Sequence, residues 1–158
     1  MMKDGADIID IGAESTRPGA KRVSEEDEQN RVLGAVDALI PEGAVLSIDT
    51  TRASVARMAL EHGAQIINDV SGGQLDREVP HVVAEHAESL YIVQHWRGWL
   101  AGSAGDVPDA NTSVYANGMV NDVYDELMKQ VETCFRQASR RHRSSSIQDW
   151  ILQTERRT

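Results

Sequence analysis

The sequence predicts an α/β fold built on parallel strands, and three observations carry that expectation. Four short runs rich in β-branched residues recur along the chain. Each is followed by a stretch whose apolar residues repeat at helical spacing. Strands joined through helices pair in parallel with right-handed crossovers. Two architectures meet this description, an open doubly wound sheet and a (β/α)8 barrel. Barrels average about 250 residues, so four units within 158 residues correspond to half of one.

The first strand run is Ile8-Ile9-Asp10-Ile11-Gly12, followed by the polar turn Ala13 to Ala20. Ser24 then opens Glu25-Glu26-Asp27-Glu28, an N-cap followed by acids that suit the positive end of a helix. Val32, Leu33, Val36, Leu39 and Ile40 keep the helical period until Pro41 and Gly43 stop it. Val45 to Thr50 is the second strand, and 52–62 is a helix closed by Gly63. Gln65 to Val70 is the third strand. Asp76 to Glu88 reads as a helix in which Pro80 sits early enough to be tolerated. Leu90 to Trp96 is the fourth strand, and 97–112 is a Gly/Ala/Asp/Pro loop. A long amphipathic helix follows, with Val120, Val123, Tyr124, Leu127, Met128, Val131, Cys134, Phe135 and Ala138 on its apolar stripe.

Composition narrows the function classes. At 41% hydrophobic and 26% charged, the chain has the balance of an ordinary soluble domain. No stretch approaches the roughly 18–20 apolar residues of a membrane span, and no secretory signal opens the chain. These features predict a cytoplasmic protein with no membrane partner. One cysteine, Cys134, excludes a disulfide framework and a cysteine-based zinc site. A net charge of −9 argues against nucleic acid as a partner. That charge is uneven: residues 1–133 carry −13 and residues 134–158 carry +4.

In both candidate architectures ligands bind beyond the carboxyl ends of the strands. Asp10 and Glu14-Ser15-Thr16-Arg17 stand at the first such end, Asp49-Thr50 at the second, Asn68-Asp69 at the third and Gln94-His95 at the fourth. Each has a structural alternative. Asp49-Thr50 can cap the next helix, Asn68 can cap a turn, Asp10 can pair with Arg17 or a neighbouring strand, and a lone histidine such as His95 is more often a packing residue. Apolar strands ending in polar residues four times over argue for a site. Two hydroxyls and a guanidinium on the turn Ser15-Thr16-Arg17-Pro18-Gly19 suit a phosphate or pyrophosphate. Asp49 and Asn68, on adjacent strands, suit a ring with an amidine-like edge: the carboxylate accepts two N–H bonds and the amide both donates and accepts. His62, His81 and His86 lie on helices away from this mouth and receive no role, and Cys134 fits a buried helix face as an inert thiol. Trp96 and Trp99 stand at the start of the 97–112 loop, as cover for the mouth or as packing.

The segment Ile8-Ile9-Asp10-Ile11-Gly12-Ala13-Glu14-Ser15-Thr16-Arg17-Pro18-Gly19-Ala20 closely resembles a signature of dihydropteroate synthase. Ser47-Ile48-Asp49-Thr50-Thr51-Arg52, Ile66-Ile67-Asn68-Asp69-Val70-Ser71-Gly72 and Val93-Gln94-His95-Trp96 resemble the family's next three strand ends. The resemblance implies a partial (β/α)8 TIM barrel of about four βα units, the second to the fifth, over 1–138. It implies the condensation of 4-aminobenzoate with 6-hydroxymethyl-7,8-dihydropterin pyrophosphate, releasing dihydropteroate and pyrophosphate, with Mg2+ as cofactor and sulfonamides as competitors of 4-aminobenzoate. It gives Thr16, Asp49 and Asn68 to the pterin. It gives Ser15, Thr16 and Arg17, the catalytic set, to a mobile loop over pyrophosphate and 4-aminobenzoate. Family members are often homodimers. The related alternative is a barrel that transfers a methyl group from methyltetrahydrofolate, and outside the enzymes a non-catalytic remnant.

Several family features have no counterpart here: the first strand with its metal-holding Asn, the Asp-Pro-Gly segment of the sixth strand, the seventh-strand Lys, and the eighth-strand Arg and His. No protein ligand for a metal is therefore expected. Residues 139–158, basic and Ser-rich around Arg140 to Ser146, form an irregular tail. It reads as an altered reading frame or an incorrect gene end, with a natural basic tail as the alternative. The coding DNA decides, by whether an Asp-Pro-Gly sequence follows in another frame. A half barrel with open edges is also expected to be marginally stable or self-associating; a cooperative monomeric melt would contradict that.

Overall fold

The computed structural model describes residues 1–15, 21–97 and 114–139. It contains four parallel strands in the order of the chain: β1 (Ile9–Gly12), β2 (Leu46–Asp49), β3 (Ile66–Asp69) and β4 (Leu90–Val93). Helices α1 (Glu25–Leu39), α2 (Ala53–Glu61), α3 (Val79–Glu85) and α4 (Met119–Ser139) follow them in turn. The predicted βα alternation and parallel pairing are present, and each strand pairs with its neighbour in the chain.

Local chemistry explains the boundaries. Ser24 accepts from the Asp27 backbone N–H at 3.1 Å and caps α1, with four acids in its first turn. A short 3-10 turn through Pro41 ends it, and Gly43 leaves in the left-handed conformation at φ 80°. At the start of α2 the Ala53 N–H is capped by the Asp76 carboxylate at 2.8 Å, a partner 23 residues away. The third helix is shorter than the sequence predicts. Residues 76–78 are spent on turns, the Asp76 carbonyl accepting from Val79, and Ser89 Oγ donates to the Val83 and His86 carbonyls at the other end.

Strand periodicity splits the sheet into two faces. One row, Ile11, Ile48, Ile67 and Tyr91, packs with Ile9 and Leu46 against the helices, where Val32, Val36, Val55, Ala59, Val79 and Val82 complete the core. The other face carries no helix among the described residues. Its lower part exposes Ile8, Val45 and Leu90, and Ile92, in register with Asn68, is exposed too, from 41% to 61% across the four. Its upper part carries the polar strand ends.

The last helix differs in its facing. Val120, Tyr124 and Met128 of the expected apolar stripe are exposed; Cys134 of that stripe is buried, with Asp122 and Gln130, and Val123, Leu127, Val131, Phe135 and Ala138 are half-buried. Hydrogen bonding sets that orientation. Gln130 Nε2 donates to the Ser71 carbonyl at 2.7 Å and to the Gln94 carbonyl at 2.9 Å, and Cys134 Sγ donates to the Gly72 carbonyl at 3.1 Å. Gly72 makes this approach possible, at φ 55° with its missing Cβ directed at Gln130. No described helix is long and apolar enough to cross a membrane.

Candidate functional site

The open face converges on a polar row at the carboxyl end of the sheet. Gly12, Asp49 and Asn68 are register partners on β1, β2 and β3, so their side-chain positions share one face at one level. Because β1 ends in glycine, the space over Asp49 stays free; a Cβ at Gly12 would stand 3.6 Å from Asp49 Cβ and Oδ2. One strand further, Gln94 Nε2 donates to Asn68 Oδ1 at 2.7 Å. That bond fixes the Asn68 amide, occupying its oxygen and turning its nitrogen to the site. One level below, Ser47 Oγ is buried without a hydrogen-bond partner.

Asp49 is half-buried, and its carboxyl is pushed up from 3.8 to about 6. Burial is the largest cause, followed by the negative charges of Asp10, Asp69 and Glu14. It is a carboxylate held at some cost, one that N–H donors brought to it would relieve.

The neighbouring acids have other duties. Asp69 is fully buried on the opposite face and holds the loop after β3. Its Oδ1 accepts from the Ser71 N–H and Oγ–H, and its Oδ2 from the Gly73 N–H and the Tyr91 hydroxyl, each at 2.8 Å. Glu14 ties down both ends of the segment that leaves β1. It accepts from Arg22 Nε at 2.6 Å, from the Val23 N–H at 3.2 Å and from Arg52 Nη1 at 3.0 Å. Arg52 also pairs with buried Glu28, whose Oε1 accepts from Thr50 Oγ1 at 2.6 Å.

The structure thus brings Asp49 and Asn68 together as the sequence predicts. Ser15 is exposed at the edge of the described segment. Thr16 and Arg17 lie outside the described residues, as do Trp99 and the tail after Ser139. The capping alternative falls to Thr50, whose Oγ1 accepts from the Arg52 N–H at 3.2 Å, and leaves Asp49 free of it. His95 bonds to Glu126 at 2.8 Å, the packing role expected of a lone histidine. Sequence reasoning placed Gln94 at a strand end but missed its hold on Asn68, and it missed the Glu14–Arg22–Arg52–Glu28 network. The four-acid run opening α1 was the only local signal, and it was read as a helix start.

A family model described as pterin binding enzyme matches residues 1–153. A dihydropteroate synthase of Mycobacterium leprae is 50% identical over 109 residues, 69% of this chain and 38% of that protein. The structure of Burkholderia cenocepacia dihydropteroate synthase complexed with 7,8-dihydropteroate superposes with a TM-score of 0.68 at 34% identity, over 86% of this chain and 46% of that one. The Yersinia pestis enzyme in a sulfonamide drug complex gives 0.69 at 30% identity, again over 86% and 46%. The chain spans less than half the length of these relatives. With the matched stretch taking in every strand that builds the polar row, the chain belongs to the pterin-binding enzyme family.

Proposed function

We propose that this chain carries the pterin-holding βα units of a dihydropteroate synthase, which joins 4-aminobenzoate to 6-hydroxymethyl-7,8-dihydropterin pyrophosphate. The observation that carries the reading is the register pairing of Asp49 with Asn68 on the open face, with Gln94 fixing the amide. Asp49, as carboxylate, accepts from the pterin amino group and a ring N–H. The Asn68 amide nitrogen donates to a ring acceptor. Desolvation of Asp49 strengthens its attraction to those donors. Ser15, Thr16 and Arg17 hold the departing pyrophosphate with hydroxyls and a guanidinium, Thr16 also touching the pterin. Their loop keeps water from the pterin methylene while the aniline nitrogen attacks. Glu14, bonded to Arg22 and Val23, anchors that loop at both sides.

The resemblance implies a magnesium ion that would assist the departing pyrophosphate. Among the described residues no three His, Cys, Asp or Glu side chains come together to hold a metal ion. The likeness to dihydropteroate synthases supports this reading over the methyl-transfer alternative.

Isothermal titration with a dihydropterin pyrophosphate analogue, then a condensation assay with 4-aminobenzoate, tests the proposal. Saturable binding that D49N weakens at least tenfold (about 1.4 kcal/mol), followed by dihydropteroate formation, supports it. Absence of binding overturns the pterin site. Binding without condensation overturns the synthase activity of this chain and leaves it a pterin-binding protein.

A further inference from the structure

A cleft of about 910 Å3 opens between the loop after β3, α3 and α4. None of Asp49, Asn68 or Gln94 lines it, so it is distinct from the pterin row. Two polar atoms along it are unmatched. His81 is 6% exposed and its Nδ1 has no hydrogen-bond partner, and Gln137 Oε1 is buried without a donor. Buried polar groups are nearly always paired, so two such atoms along one cavity point to a missing ligand.

The charges around the cleft specify that ligand. Arg77, just before α3, and Lys129, on α4, line it from two sides, and neither has an ion-pair partner among the described residues. Arg136 is a third cation, already paired with Glu132 at 2.6 Å. Of the two acids on the lining, Glu126 is committed to Arg97 at 2.6 Å and to His95 at 2.8 Å. Glu78 is left as the one counter-charge, on an exposed position.

We propose that the α3–α4 cleft binds a small oxyanion, a phosphate or carboxylate, that also carries a hydroxyl or amino donor. Arg77 and Lys129 balance the oxyanion. Gln137 Oε1 accepts from the ligand's donor. His81 Nδ1 donates or accepts according to its tautomer. The volume matches a compact metabolite with its waters rather than a macromolecule.

Calorimetric titration of the whole chain with inorganic phosphate, L-malate and succinate tests this. Malate and succinate share charge and length, and only malate has the hydroxyl. The proposal expects saturable binding of phosphate and malate, with malate at least fivefold tighter than succinate. In an R77Q/K129Q double variant, at two exposed positions, phosphate and malate affinity falls at least tenfold. Q137L removes the preference for malate over succinate and retains phosphate binding. D49N leaves all three titrations unchanged. Absence of saturable binding overturns the proposal. So does binding that survives R77Q/K129Q, or binding that D49N abolishes, because the anion then sits elsewhere.

Discussion

Gln94 Nε2 donates to Asn68 Oδ1 at 2.7 Å, and through that one bond the residue after β4 fixes which end of an amide on β3 is occupied. Q94L removes the donor and lets the Asn68 amide turn over. Pterin affinity is expected to fall about fivefold to tenfold, the worth of one neutral hydrogen bond. Unfolding free energy should move by less than about 1 kcal/mol, because the Gln94 backbone carbonyl still accepts from Gln130 Nε2. Titration calorimetry beside urea unfolding reads both; unchanged affinity would show that the amide is held some other way.

Asp49 links binding and stability to pH. Its carboxyl titrates at about 6 in the folded chain, against 3.8 ordinarily. A raised value means that the folded state binds the proton more tightly. The group's contribution to stability is therefore complete below about 4 and is lost as pH rises through 6. D49N should flatten that decline and gain about 1–2 kcal/mol at pH 7.5, after a discount for partial exposure. Ligand affinity runs the other way. A carboxylate that must accept N–H donors binds fully above pH 6 and weakens about tenfold per unit below it. Denaturant unfolding and pterin titrations at pH 5, 6, 7 and 8 check both signs.

Asp69 behaves as a structural acid despite its place beside Asn68. D69N puts an NH2 group where an oxygen accepts two hydrogen bonds, in a site with no solvent exposure. A loss of about 2–4 kcal/mol is expected, read as a lower urea midpoint. The Tyr91 phenol, held above its usual range by burial and by the Asp69 charge, should then titrate lower, visible in ultraviolet absorbance.

Cys134 should be a slow thiol. Burial, with the Asp69 charge behind it, pushes it up to about 11, and its Sγ–H is engaged with the Gly72 carbonyl. At pH 8 the folded chain should react with a disulfide reagent at least tenfold more slowly than the urea-unfolded chain, because the thiolate is the reacting form. Equal rates would mean that α4 detaches freely from the loop after β3.

Much of this was legible in the sequence because it is periodic. Branched residues ending in Asp49 and Asn68 gave the strands, and Ser24 with its acids gave the start of α1. What stayed hidden depends on bonds between distant residues. Glu14 meets Arg52 across 38 positions, and Gln130 meets Ser71 across 59, with no local pattern to announce either. The apolar stripe of α4 is turned inward only in part, and those bonds set its rotation. An isolated helix would have shown Val120, Tyr124 and Met128 to the core; hydrogen bonding to the loop after β3 leaves them in water.

The pleat of β2 and β3 has an evolutionary corollary. Asp49 on β2 and Asn68 on β3 face the open side, while their immediate neighbours Ile48 and Ile67 are wholly buried. Deleting a single codon within either strand would therefore exchange oil for water on both sides at once. Length in these eight residues is guarded twice over, by solubility and by recognition, so natural variation here should come as substitutions and almost never as insertions or deletions.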